Sequence, residues 1–282
     1  MLDSNTARDI FTDWSLPIGL TLSIALIAAI YLRGWLALRH TRPTQFTPTH
    51  LASFLSGLAI LWIAIASPMD GFADTLLTVH MVEHLLLMSA IPMLLLFGLP
   101  FAPLLRGLPA PLLRRVAGPL LRLRWLRSFA HWLVSPPIAW LLMNVGYLAW
   151  HVPAAYDLAL ENETIHGAEH LTFLLTSLLF WWVILRPWPA QKRPNNWGAL
   201  LYLALADIVM TMLSGFLTFC DRPVYPYYVA HPNPFGISVL DDQVLGAVTM
   251  WVLGSFAYLV PAMIITVRLL SPSRPGVDSV SL

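Results

Sequence analysis

Long apolar runs separated by short polar breaks repeat along the chain, near residues 15–36, 47–67, 75–97, 132–151, 164–185, 198–220 and 242–268. Each approaches the roughly 20 apolar residues an α-helix needs to cross a bilayer. The pattern predicts an all-α, polytopic membrane bundle of seven transmembrane helices, forming one domain over 1–282. Two connecting segments stand apart from the rest. Residues 100–127 alternate leucine with arginine, as in Leu112, Leu113, Arg114, Arg115, Leu120, Leu121 and Arg122. They predict an amphipathic segment on the inner membrane surface, with arginines facing anionic headgroups as an anchor; a partner dock is the alternative. Residues 221–240 carry Tyr225, Tyr227, Tyr228, His231 and Phe235, which suits either an interfacial aromatic belt or a lid or partner surface.

Composition supports the membrane reading. The chain is 57% hydrophobic and 11% charged, too apolar for one soluble core. All but Arg8 and Arg222 of the 16 Lys and Arg fall in segments on one side of the predicted spans. By the positive-inside rule that side is cytoplasmic, which puts the N-terminus outside and the C-terminus inside. Most acids fall on the other side, among them Asp70, Asp74, Asp157, Glu161, Glu163, Asp221, Asp241 and Asp242. Basic residues dispersed at helix ends give no nucleic-acid footprint. The start carries three Asp and one Arg before the first apolar run, so it lacks the basic segment of a cleaved signal peptide and the first span is expected to be retained. Cys220 is the only cysteine, so a metal site must draw on other residues.

Histidines supply them. His80, Glu83 and His84 sit at i, i+3 and i+4 near the start of the third span, and His166, Glu169 and His170 repeat that spacing at the start of the fifth. The spacing puts each trio on one helix face. Both spans run from outside to inside, so the two motifs share a depth, and His151 ends the fourth span at that level. Ionisable side chains in a membrane are costly and usually face the bundle interior. A metal held by neutral imidazoles would offset that cost, with the two glutamates as ligands or as orienting partners. His80, His84, His151, His166 and His170 are therefore candidate ligands. Met88, Met210 and Met250 offer thioethers suited to reduced copper, or simply fill gaps in the bundle. Asp207 is placed near mid-membrane, where it needs a partner such as Asn144 or a proton. Asp241, Asp242 and Gln243 open the seventh span, where acids also suit a helix N-terminus.

The run from His80 to Pro100 (HMVEHLLLMSAIPMLLLFGLP), the segment Trp150 to Asp157 (WHVPAAYD), the run from His166 to Trp182 (HGAEHLTFLLTSLLFWW) and the stretch from Asp242-Gln243 to Met250-Trp251 together resemble the integral-membrane CtaG family of cytochrome c oxidase assembly factors. The resemblance implies a multi-pass protein of the bacterial plasma (inner) membrane that helps assemble a haem-copper oxidase. Copper handling is its implied role, and oxidase subunits and periplasmic copper chaperones are its implied partners. The matching positions are His80, His84, His151, His166, His170, Asp242 and Gln243. A metallochaperone of this kind is not an enzyme. Two other readings stay open on the residues: a seven-span zinc hydrolase with Glu83 or Glu169 as base, and a b-type cytochrome with two histidines on one haem.

Overall fold

A computed structural model describes residue 14 and residues 16–185, 196–233 and 235–271. The described residues are mostly helical, with no strand among them. In chain order the helices are α1 (Ile18–Thr41), α2 (Pro48–Ala66), α3 (Pro68–Ala73), α4 (Leu77–Phe97), α5 (Phe101–Gly107) and α6 (residues 110–122). They continue as α7 (Arg124–Leu133), α8 (Pro136–Trp150), α9 (Pro153–Glu161), α10 (Glu163–Leu185), α11 (Asn196–Phe219), α12 (Pro226–Ala230) and α13 (Val239–Leu270). Six of them, α1, α2, α4, α10, α11 and α13, are long and apolar enough to cross a membrane. Many large apolar side chains on these helices point outward, among them Leu22, Leu26, Ile208, Met212, Phe256 and Met263, as a lipid-facing surface requires.

The fourth predicted span differs from its expected form. It is a bent pair, α7 and the 15-residue α8, which meet at 64° and make seven spans in all if the pair crosses as one. The cause lies in Ser135-Pro136-Pro137: a residue before proline avoids the helical region, and Ser135 is extended at ψ 139. Trp132, expected inside the span, therefore falls on α7. There Trp125, Phe129 and Trp132 form an exposed apolar stripe at i, i+4 and i+7, with Arg124, Arg127 and His131 on other faces. This part of the Leu/Arg segment has the form of an interfacial helix. Its beginning does not: α5 packs along α1, where a Cβ on Gly34 would lie 1.8 Å from the carbonyl oxygen of Pro103 and one on Gly107 equally close to that of Ile30. Only glycine permits that approach.

The core of the bundle is α4, which packs against α13, α10 and α2. Within it, residues Leu86–Ala90 form a π-helical turn directly after the first histidine motif. Pro92 follows and has no N–H to offer a carbonyl in the preceding turn. The freed carbonyl of Met88 instead accepts the indole N–H of Trp181 on α10 at 2.8 Å, locking α4 to α10 just below the two histidine motifs. α13 is set against α4 by its own N-terminal end. Asp242 accepts from the backbone N–H groups of Leu77 (2.7 Å) and Thr78 (3.1 Å) and from the Thr78 hydroxyl (2.6 Å), so it caps the helix that carries His80. Of the basic residues on which the predicted orientation rests, Arg186, Lys192, Arg193 and Arg274 lie outside the described residues.

Candidate metal centre

Helix direction brings the two motifs to one level. Both α4 and α10 begin at the same end of the bundle, His151 closes α8 there, and α9 follows across that end. The ring centroids of His80 and His84 lie 4.2 Å apart, those of His166 and His170 4.1 Å, those of His80 and His166 5.3 Å and those of His84 and His170 5.7 Å. His80 and Glu83 are fully buried, and Glu169 and His84 are nearly so. His166 is partly exposed as a residue, although its Nε2 is buried.

The two motifs are cross-paired. Nε2 of His84 lies 3.6 Å from Oε1 of Glu169, and Nε2 of His170 lies 3.5 Å from Oε1 of Glu83. Neither contact is a formed hydrogen bond, and both oxygens of each carboxylate, both ring nitrogens of His84 and Nε2 of His151, His166 and His170 are buried without one. Burying so many polar atoms unsatisfied is costly, and a cation bound among them would use their lone pairs. The donor set of imidazoles and carboxylates suits a transition metal.

The five histidines do not form a single ligand set. His80, His84, His166 and Glu169 each offer an atom such that all four lie within 4.8 Å of one another, and so do Asp70, His166 and His170. Either group has the donor types and the spacing that a metal ion requires. His151 belongs to neither set and sits at the margin, its ring 6.2 Å from that of His84. Its Nδ1 donates to the carbonyl of Tyr147 at 2.8 Å, which fixes the tautomer and leaves Nε2 with a lone pair. Asp70 was not legible as a site residue, since it lies in the connection between two spans. α3 folds that connection back over the centre. Burial pushes the Asp70 carboxyl up to about 7, with the charges of Asp74 and Glu163 acting in the same direction, and burial pushes Asp74 up to about 6.

The auxiliary candidates divide by role. Asp242 and Gln243 hold structure: Gln243 accepts from Val224 N at 2.7 Å and donates to the carbonyls of Leu217 and Arg222, pinning the start of the 221–240 segment. Met88, Met210 and Met250 are buried, and Met210 fills the notch that Gly254 leaves between α11 and α13. Asn144 donates to Trp140 of its own helix rather than to Asp207, whose Oδ1 is buried without a hydrogen bond. Part of the 221–240 segment is a roof rather than an exposed belt. Tyr225 stacks on Tyr156 at 4.0 Å, Tyr156 lies 5.1 Å from His80, and Tyr228 donates to the Ala73 carbonyl at 3.0 Å.

Curated relatives extend the comparison. An uncharacterized protein of Mycobacterium bovis is 26% identical over 265 residues, 87% of this chain and 40% of that protein, and one of Mycobacterium tuberculosis matches equally. One of Mycobacterium leprae is 25% identical over 271 residues, 93% of this chain and 39% of that protein. The chain thus spans about two fifths of the length of these relatives. No solved structure matches it. The model of the cytochrome c oxidase caa3 assembly factor family (Caa3_CtaG) matches residues 29–271, a span that takes in every residue of the centre, and the chain belongs to that family.

Proposed function

We propose that the chain assembles a haem-copper oxidase by binding copper at the buried histidine-glutamate centre and delivering it to the oxidase within the membrane. The observation that carries this is the cross-pairing of the two motifs, His84 to Glu169 and His170 to Glu83, in a nest of imidazoles and carboxylates whose ligand atoms lack hydrogen bonds. Family membership supports the assembly role. His80, His84, His166 and Glu169 would hold the ion, with His151 and His170 beside them and Glu83 orienting His170. Copper is the cargo, so the site must also release it, and a centre divided between several helices can do so when a partner separates or competes with them.

In the proposed orientation the centre lies at the outer leaflet of the bacterial plasma membrane, with the N-terminus outside, and periplasmic copper chaperones load it. The clustering of Arg33, Arg39, Arg42, Arg106, Arg114 and Arg115 toward the other end supports that orientation. The directly packed rings and carboxylates favour an ion over haem, which needs a flat slot between its axial histidines. The test is the host oxidase purified from cells that lack the chain. It should be copper-poor and inactive, and regain both metal and activity when the wild-type chain is restored. A fully copper-loaded, active oxidase in those cells would refute the proposal.

A further inference from the structure

The centre contains two overlapping sets of ligand atoms that share one residue. The deep set is His80, His84, His166 and Glu169, and the outer set is Asp70, His166 and His170. We propose that the outer set is a loading site for a divalent cation, and that His166 carries the ion from it to the deep set. This rests on the metal-binding reading above and extends it to the route of entry.

Three observations carry the inference. The first is depth. Apart from the shared His166, the deep residues His80, Glu169 and His84 are between 0% and 2% exposed, whereas in the outer set Asp70 is partly exposed and His170 is 7% exposed, so an ion arriving from outside meets the outer set first. The second is charge and donor type. One carboxylate oxygen with two imidazole nitrogens suits a divalent ion better than the softer monovalent copper, which prefers sulfur. Asp74 and Glu163 stand close enough to act electrostatically on Asp70 and add to the negative field at the mouth. Behind the outer set, Glu83 faces His170 at 3.5 Å, the arrangement by which a carboxylate orients a ligating imidazole.

The third is the shared ligand. An ion cannot cross a low-dielectric interior without donors, because stripping it of all of them costs far more than exchanging one at a time. His166 belongs to both sets, and its ring lies 4.1 Å from that of His170 and 5.3 Å from that of His80. The ion can therefore exchange Asp70 and His170 for His80, His84 and Glu169 while staying within reach of the His166 ring. No bond other than metal-ligand contacts changes and no electron is transferred.

The test uses the purified full chain in detergent, with Cu2+ alone as probe, read by uptake rate and by electron paramagnetic resonance. Asp70→Asn should reach wild-type occupancy about tenfold more slowly. Supplied with excess Cu2+, His84→Ala should still take it up, held more weakly than in the wild type and with a mixed oxygen and nitrogen signature, and the double variant with Asp70→Asn should lose it. Asp74→Asn, which removes a nearby charge and no ligand, should slow loading clearly less than Asp70→Asn does. Wild-type loading by Asp70→Asn, equal slowing by Asp74→Asn, or residual Cu2+ in His84→Ala that ignores Asp70 would each overturn the loading site while leaving the deep centre standing. Failure of the wild-type chain to take up any metal would overturn both.

Discussion

Nε2 of His84 lies 3.6 Å from Oε1 of Glu169, a residue 85 positions later on another helix, and Glu83, next to His84, answers with His170 at 3.5 Å. Each motif thus supplies the acid for the other's histidine. The centre exists only when α4 and α10 are in register, so its integrity reports on the packing of both.

The first prediction follows from that reciprocity. Glu169→Gln removes a ligand candidate of the deep set and Glu83→Gln removes the partner that orients His170. Each should weaken metal binding by roughly 10–100-fold, as loss of orienting partners commonly does. His151→Ala should have a smaller effect, since its ring stands outside both sets. A chelator competition titration gives the ranking, and a larger loss in His151→Ala would reverse it.

Asp242 should act through α4 rather than on metal. Asp242→Ala leaves the backbone N–H groups of Leu77 and Thr78 without their carboxylate acceptor, at a cost on the order of 1–3 kcal/mol, while the Thr78 hydroxyl keeps the backbone carbonyl of residue 242. The variant should show a lower Tm in detergent while binding the wild-type amount of metal per folded chain. Wild-type Tm, or loss of metal from chains that remain fully folded, would contradict the capping role.

Two glycines should respond differently to alanine. A Cβ at Gly34 meets backbone, with the Pro103 carbonyl oxygen at 1.8 Å, so Gly34→Ala must push α5 off α1 at a cost on the order of 1–3 kcal/mol. A Cβ at Gly254 meets the end of the Met210 side chain, which can swing away. Thermal unfolding should therefore rank Gly34→Ala below Gly254→Ala, and the opposite order would show that the α1–α5 contact is not tight.

A reporter fused after Leu282 should be cytoplasmic and one inserted near Asn233 external. The opposite labelling would move the centre to the inner leaflet and exclude loading from the periplasmic side.

Much of the centre was legible because helical periodicity is rigid. Two HxxEH trios at the start of parallel spans must share a level, and the rings of His80, His84, His166 and His170 do meet. What stayed hidden depends on chain reversal. Asp70 reaches the histidines because α3 turns back, and Tyr225 and Tyr228 roof the centre because Gln243 and Asp157 tether their loop. The π turn after His84 left a trace in Pro92, which forbids a regular helix there, but the partner of the freed carbonyl, Trp181, is distant in sequence. The break before α8 was legible in Pro136-Pro137, yet hydropathy alone carried the predicted span across it. His50, remote from the centre like His40 and His131, acts locally, where its Nδ1 accepts from Thr47 N at the start of α2.

Copper content of the chain purified from copper-replete cells tests the central claim most directly. The wild-type chain should carry about one copper, while His84→Ala and His170→Ala, still inserted in the membrane, should carry markedly less and leave the host oxidase inactive. His40→Ala and His131→Ala, at exposed positions away from the centre, should match the wild type in both. Full copper and a fully active oxidase in the His84 and His170 variants would show that these histidines only hold the bundle together.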